Sequence, residues 1–593
     1  MGAGALTVTE AGAVAPVLLP PPRSLAVDPA GRVRDAAVTE GRDRSLRPEG
    51  YHLEIDTDGI RLVAADDAGA RHGRATLDQL RRGAGPGQAG TVAACRIDDW
   101  PDFAVRAVML DVARDRVPTT ETLFAVVDRL AAWKLNQLQL YTEHTFAYAG
   151  HDEVWRHADP YTADDLRAID AYCASRGVEL VANQNTLGHF ERWLRHDRYR
   201  PLAIAPDGFD WVFGIHRSPM TLDPAKPAAF ALVADLLAQL VPTVASRWVH
   251  IGLDEPWELA AERRPEWVGW LRRLVDLPVM AGRRPLVWGD VVADPALLAT
   301  LPDGVTVCEW GYEDNHPFAE RAGRLAEAGI PFWLCPGTSS WLSVSGRVEN
   351  MLGNIAAAAA AGTAAGAGGL LTTDWGDMGH HQQPVVSEPG LAAAACYSWS
   401  AATAPTDVDG LGPLLDRHAF DDAAGVLGAA VVDLGRIPRL LTPQVPNMSA
   451  LVFGLLLPQW RTGHGATRGL CPDDLDAVES VLDSVTAAVA VADVRRPDAD
   501  LVLGEVAATV AVLRLCVADA RLRLEGDGSI GSVPAAARAR RADALDAVVD
   551  DHRRLWTARV RPGGLDDSLA WFDHLRRCYE TGEAPATWFG PGA

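Results

Sequence analysis

The stretch Trp248-Val249-His250-Ile251-Gly252-Leu253-Asp254-Glu255-Pro256-Trp257 decides how the rest of the chain is understood. It reads as a buried strand that delivers two adjacent carboxylates and then stops. Successive side chains on a strand face opposite ways, so Asp254 and Glu255 share a pocket only if the strand ends there. Gly252 leaves room for a close approach, and Pro256 biases Glu255 towards an extended backbone while barring further ladder pairing. Two carboxyls side by side do not both ionise easily, so the pKa of one is expected to rise. Such a pair can supply a general acid and an anionic stabiliser at neutral pH. The competing reading is a surface Asp-Glu pair opening a helix, where acids favour the first turn. The rest of the chain decides between the two.

Working outward, strands and helices alternate from Pro101 to about Ala404. Apolar strands are expected at Val105–Leu110, Leu138–Tyr141, Val178–Ala182, Trp248–Gly252, Leu286–Trp288, Val305–Cys308, Pro331–Leu334 and Gly369–Thr373. Helices are expected at Thr119–Trp133, Ala163–Arg176, Pro227–Leu240, Pro317–Ala328, Arg347–Ala361 and Gly390–Ser398. Eight strands with intervening helices over about 300 residues fit a (β/α)8 TIM barrel, an α/β fold, better than an open sheet. The polar residues fall at the strands' C-terminal ends: Asp111 and Arg114; Glu143 and His144; Asn183, Asn185 and His189; Asp254 and Glu255. They continue with Trp288 and Asp290; Glu309, Trp310 and Tyr312; Ser339, Ser340 and Trp341; Asp374, Trp375 and Asp377. A barrel collects its active site on that rim. One polar strand end would be a cap; eight in register, rich in acids and tryptophan, argue for a pocket.

Residues 1–98 form a separate N-terminal α+β domain, with a hairpin over Tyr51–Ile55 and Ile60–Val63 and a helix ended by Gly83. With the barrel assigned to 99–405, residues 406–593 form a C-terminal all-helical domain, read from three- and four-residue apolar spacing over Leu475–Val494, Leu501–Leu524 and Ala535–Val560. The Pro562-Gly563-Gly564 turn either sets Trp556 and Arg559 against the barrel or merely ends a helix.

Composition narrows the partners. The chain has 593 residues and a net charge of −23, which argues against nucleic acid and anionic membranes. Eight cysteines stand singly without zinc-type spacing, which fits a reducing compartment and a cytoplasmic protein. Residues 1–22 lack a basic segment before their apolar residues, so no secretory signal is expected. No apolar run reads as long enough to span a bilayer. Nineteen tryptophans against nine tyrosines suit flat apolar walls that stack on sugar rings, although core filling accounts for many of them. No metal or organic cofactor is implied, and monomer and homodimer both stay open.

These residues resemble glycoside hydrolase family 20, the β-N-acetylhexosaminidases. His250-Ile251-Gly252-Leu253-Asp254-Glu255 is similar to the family's His-x-Gly-Gly-Asp-Glu, with Leu253 in place of the second glycine. Arg106-Ala107-Val108-Met109-Leu110-Asp111-Val112-Ala113-Arg114 resembles Arg-Gly-Leu-Met-Leu-Asp-x-Ser-Arg. Trp133-Lys134-Leu135-Asn136, Leu187-Gly188-His189 and Val287-Trp288-Gly289-Asp290 look like further family segments. The three-part layout resembles a bacterial subgroup of exo-acting N-acetylglucosaminidases.

The resemblance implies substrate-assisted retaining hydrolysis of glycosides or oligosaccharides ending in N-acetylhexosamine. Glu255 would be the acid and base, and Asp254 would orient the acetamido group and stabilise its charge. Arg106 would grip hydroxyls, Trp288, Trp310 and Trp375 would wall the pocket, and His189 with Glu143 would support Glu255. Tyr312 or Trp341 would contact the acetamido group, and Asp377 would bind substrate. Leu253 would narrow or reshape the pocket floor. Two alternatives are a relative acting on a sulfated or non-acetylated β-hexoside, and an inactive sugar-binding relative.

Overall fold

The computed structural model describes residues 16–83, 88–211, 215–586, 588 and 590. The first fifteen residues, on which the signal-peptide expectation largely rests, lie outside these.

The N-terminal unit is a five-stranded sheet of β1 (Ser24–Arg34), β2 (Val38–Arg42), β3 (Tyr51–Asp56), β4 (Gly59–Ala64) and β5 (Thr91–Asp99), in the order β1-β5-β3-β4-β2. The expected hairpin is β3–β4, and the Asp56 carboxylate closes its turn by accepting from the Asp58 and Gly59 amides at 2.8 and 3.2 Å. Tyr51, Leu53 and Ile55 alternate with half-buried residues and belong to one core with Leu77 and Leu80 of the helix Asp67–Arg82.

Eight parallel strands close the barrel: β6 (Val105–Asp111), β7 (Gln137–Thr142), β8 (Glu179–Gln184), β11 (Trp248–His250), β12 (Arg284–Trp288), β13 (Thr306–Trp310), β14 (Phe332–Cys335) and β15 (Gly369–Asp374). All eight lie where the apolar runs predict them. A short hairpin, β9 (Phe209–Trp211) with β10 (Ile215–Arg217), interrupts the series after β8 and pairs with no barrel strand. Its three-residue strands are too short to show a period.

The barrel floor is stitched to the N-terminal sheet by buried charges. Lys134 Nζ donates to Asp99 Oδ2 at 2.8 Å and to the Tyr51 hydroxyl at 2.9 Å, and lies 4.4 Å from the Trp399 ring centroid. Burial lowers the Lys134 pKa, and the Asp99 charge opposes that. Removing one member of a buried pair strands the other, so Lys134→Met should cost about 3–5 kcal/mol. Urea titration of both proteins checks this, with an unchanged midpoint as the contrary result.

The C-terminal helices include Leu427–Leu440, Pro472–Val491, Ala499–Leu524, Ala535–Arg559 and Leu565–Thr581. The expectation that no run could span a bilayer needs correction. Ala499–Leu524 is long and apolar enough by length and composition. In the structure 61% of its most apolar window is buried, and the helix packs against Pro472–Val491 and Ala535–Arg559. Its apolarity is that of a helix enclosed by neighbours. The Pro562 turn does set its neighbours on the barrel. The Arg559 carbonyl accepts from the Thr119 amide at 2.9 Å, Trp556 is buried under the Arg116 guanidinium, and a Cβ on Gly564 would meet the Asp115 carbonyl oxygen.

Candidate active site

Strand β11 stops at His250, and the next residues turn sharply: Gly252, Leu253 and Glu255 have φ of 66°, 75° and 47°. Glu255 is therefore left-handed, not extended as Pro256 suggests. The turn is over-determined by its bonds, which is how strained backbone persists. The Glu255 amide donates to Asp290 Oδ2 at 3.0 Å, the Leu253 carbonyl accepts from Trp267 Nε1 at 2.9 Å, and the Leu253 amide donates to Asn185 Oδ1 at 3.3 Å. A Cβ on Gly252 would lie 2.6 Å from Asn185 Oδ1, so glycine is required by both space and φ. Leu253 does not narrow the pocket floor: its side chain is fully buried in the main apolar core, apart from the cluster of pocket aromatics.

The turn brings both carboxylates to one imidazole. His189 Nε2 lies 3.3 Å from Asp254 Oδ2 and 3.4 Å from Glu255 Oε2, while its Nδ1 lies 3.6 Å from Glu143 Oε1. Asn185 Nδ2 donates to Asp254 Oδ1 at 2.6 Å. Burial alone would lower the His189 pKa, but the Asp254 charge and hydrogen bonds to both acids raise it well above its ordinary value. Burial likewise works to raise Asp254, yet the His189 charge and the His189 and Asn185 hydrogen bonds hold it below its ordinary value. Glu143, buried beside Arg114 and His189, is raised by that burial, with both cations opposing.

The rise expected within the adjacent pair is not seen at Asp254, which is lowered; beside the pair it is Asp290 that is raised. Burial, with the Asp254 and Glu255 charges, pushes it up to about 7 from 3.8. Between those values the folded chain holds a proton the unfolded chain has released, so this group's contribution to stability falls as pH rises from about 4 to about 7. Asp290→Asn keeps an acceptor for the Glu255 amide and should remove that slope. Thermal unfolding of both proteins at several pH values across this window checks it; parallel profiles would contradict it.

Arg106 is not at the pocket. It begins β6, at the opposite end of the barrel, fully buried, with Nη2 2.7 Å from Glu49 Oε2 and Nε donating to the Lys134 carbonyl at 2.8 Å. Arg114, after the other end of the same strand, occupies the place expected of Arg106. Asp111 Oδ1 accepts from the Ala113 and Arg114 amides at 2.9 and 3.0 Å, and this turn aims the Arg114 guanidinium inward. Its nitrogens lie 3.3 Å from Asp111 Oδ2, 3.6 Å from Glu143 Oε1 and 3.9 Å from Asp377 Oδ1. Burial would lower its pKa, but those carboxylates raise it.

Aromatic rings complete the walls. Trp375 stands 4.8 Å from Tyr141 and 6.1 Å from Trp288, Trp310 stacks on Tyr312 at 5.2 Å, and Trp341 meets Tyr312 edge-on at 5.1 Å. Trp375 Nε1 donates to the Tyr312 hydroxyl at 2.8 Å, and Trp341 Nε1 donates to Asn447 Oδ1 at 3.0 Å. Other strand-end residues are structural. Asp374 accepts from the Thr338, Ser340 and Ser387 hydroxyls, and Glu309 faces Arg321 and His316. Tyr141, whose hydroxyl donates to Glu143 Oε1 at 3.0 Å, has no sequence signal beyond its place in an apolar run. Among the described residues no group of three or more His, Cys, Asp and Glu side chains is arranged to hold a metal ion.

The parallel barrel thus gathers acids and aromatic rings on its C-terminal rim, the face on which barrels carry their active sites. Residues 103–361 match the model of the glycosyl hydrolase family 20 catalytic domain, and residues 12–100 match that family's domain 2. The chain belongs to glycosyl hydrolase family 20. A beta-N-acetylhexosaminidase of Cellulomonas fimi is 26% identical over 320 residues, covering 51% of this chain and 61% of that protein. A beta-hexosaminidase of Emericella nidulans is 24% identical over 334 residues, 50% of this chain and 54% of that protein. The chain thus spans little more than half the length of these relatives. Among solved structures, an exo beta-N-acetylglucosaminidase from Vibrio harveyi in complex with N-acetylglucosamine shares the fold with a TM-score of 0.55 at 18% identity, covering 70% of this chain and 78% of that one. A beta-N-acetylhexosaminidase from Streptomyces coelicolor A3(2) does so with a TM-score of 0.53 at 21% identity, covering 68% and 95%.

Proposed function

We propose that the protein is an exo-acting, retaining β-N-acetylhexosaminidase that releases terminal GlcNAc, with GalNAc as a second substrate, through an oxazolinium intermediate. One observation carries the reading: Asp254 and Glu255 sit side by side on one imidazole, and the other rim carboxylates are already engaged. Asp111, Glu143 and Asp377 face Arg114, and Asp290 accepts the Glu255 amide. A retaining glycosidase with its own nucleophile needs a second free carboxylate across the cleft. Here the substrate's acetamido oxygen takes that role.

In this reading Glu255 protonates the glycosidic oxygen as the acetamido oxygen closes on the anomeric carbon, then takes a proton from the water that opens the ring. Asp254, held anionic by His189 and Asn185, orients the acetamido N–H and balances the positive charge that develops. Arg114 with Asp377 and Glu143 holds the ring hydroxyls. The Tyr312 hydroxyl accepts from Trp375 and keeps its own hydrogen to donate to the acetamido oxygen, whereas the Trp341 N–H is already spent on Asn447. A cytoplasmic location belongs to the same proposal and is supported by eight free cysteines, seven of them buried; recovery in an exported fraction on cell fractionation would overturn it.

The test is hydrolysis of chromogenic β-GlcNAc and β-GalNAc glycosides, with the anomer of the first product read by NMR. Turnover with release of the β-anomer is expected. Release of the α-anomer, or cleavage of a β-glucoside in preference to both, would sink the reading.

A further inference from the structure

We propose that Trp257 and Trp211 form the binding platform for the next sugar ring of the substrate, the one that leaves with the oxygen Glu255 protonates. This inference rests on the glycosidase reading and adds a site outside the acid-lined pocket.

Among the described residues the exposed large hydrophobic side chains are Trp257, Leu440, Trp460 and Val491, and Trp257 alone belongs to the barrel rim. It is 46% exposed and stands two residues beyond Glu255, with its amide donating to the Glu255 carbonyl at 2.8 Å. A lone exposed aromatic needs no explanation, but Trp257 is not alone. Its ring lies 6.1 Å from that of Trp211, at 80°, so the two indoles form a corner. Trp211 ends β9 of the hairpin that pairs with no barrel strand, and the Arg217 guanidinium lies 5.2 Å from its ring centroid.

The hairpin is tied to both sides of the catalytic turn. Beyond it in the chain, the Met220 and Thr221 amides donate to Glu258 Oε1 at 2.9 and 3.0 Å, and Glu258 follows Trp257 directly. On the other side, the Met220 carbonyl accepts from the Phe190 amide at 2.9 Å, and Arg217 lies 3.4 Å from Glu191; these partners are the two residues that follow His189. The corner is thereby held beside the two acids that share His189.

Glu255 Oε2 lies against His189 and its amide is held by Asp290, while the side chain is 30% exposed, so the leaving group emerges on its solvent side. Trp257, itself half-exposed and bonded through its amide to the Glu255 carbonyl, is the aromatic ring carried by the same turn. A pyranose presents an apolar C–H face that stacks on an indole, and a second indole at a right angle bounds its edge. The chemistry this corner recognises is therefore the reducing-side ring of a β-linked oligosaccharide.

The experiment compares wild type, Trp257→Ala and Trp257→Phe on two substrates: N,N′-diacetylchitobiose, which has a second ring, and methyl β-GlcNAc, which lacks one. The disaccharide-to-methyl ratio of kcat/KM should fall about 10- to 100-fold in Trp257→Ala and largely recover in Trp257→Phe. A ratio that moves less than about twofold in Trp257→Ala overturns the platform. If wild type cleaves neither substrate, the hydrolase reading fails, and fluorescence titration of the full chain with the disaccharide decides the platform. Saturable quenching that weakens in Trp257→Ala supports it; identical titrations refute it.

Discussion

Glu255→Gln should lower kcat by about 10²–10⁴-fold on substrates with a poor leaving group, the range general acid–base catalysis supplies. Glutamine keeps the shape and hydrogen bonding of the side chain while removing the proton that must reach the glycosidic oxygen. In kcat/KM, which reports the cleavage step and not the later attack of water, the loss should shrink sharply for a dinitrophenyl leaving group, which departs without protonation. Ligand affinity should change little, because Arg114, Asp377 and the aromatic walls are untouched. A loss of equal size for both leaving groups would show that Glu255 acts on structure and not on proton transfer.

Asp254→Asn should lower kcat by about 10²–10³-fold, the cost of one preorganised electrostatic partner of developing charge. The same change has a second, independent signature. His189 owes its raised pKa to Asp254, so its charged form contributes stability below the ordinary value of 6.5 and loses it only as pH rises through the higher folded value. Without the Asp254 charge the folded value drops, and the alkaline limb of that contribution moves to lower pH. An NMR titration of His189 in both proteins reads the shift directly. An unmoved titration with unchanged kcat would remove Asp254 from the site's electrostatics and from catalysis.

Much of this site is legible in the sequence because barrel strands advertise themselves twice. Each is a short continuous apolar run, buried on both faces, and each ends in polar residues on the same rim. That logic places Glu143, His189, Asp254, Glu255, Trp375 and Asp377 near one another from the sequence alone. It also contained the correction to Arg106. Arg106 opens its strand and Arg114 follows its end, so strand polarity alone assigns Arg106 to the barrel floor and Arg114 to the rim.

Other features depend on tertiary context. The left-handed backbone at Leu253 and Glu255 is imposed by Asn185, Asp290 and Trp267, which come from other parts of the barrel. Pro256 alone points the other way. The destination of the Leu253 side chain follows from that φ, so a leucine in place of glycine reads as a pocket change when it is a core residue. The β9–β10 hairpin leaves no periodic trace, and the role of Trp211 becomes visible only beside Trp257. Ala499–Leu524 shows the converse: a composition fit for a membrane is satisfied by burial among helices.

The source of the nucleophile sets this mechanism apart from a two-carboxylate scheme. The most direct measurement is kcat/KM for aryl glycosides carrying 2-acetamido, 2-fluoroacetamido, 2-difluoroacetamido and 2-trifluoroacetamido groups. Fluorine withdraws electron density from the amide oxygen without altering the leaving group, so kcat/KM should fall stepwise along the series. Rates that stay level would mean that the amide takes no part in bond making, and that the carboxylates of this rim work by another scheme.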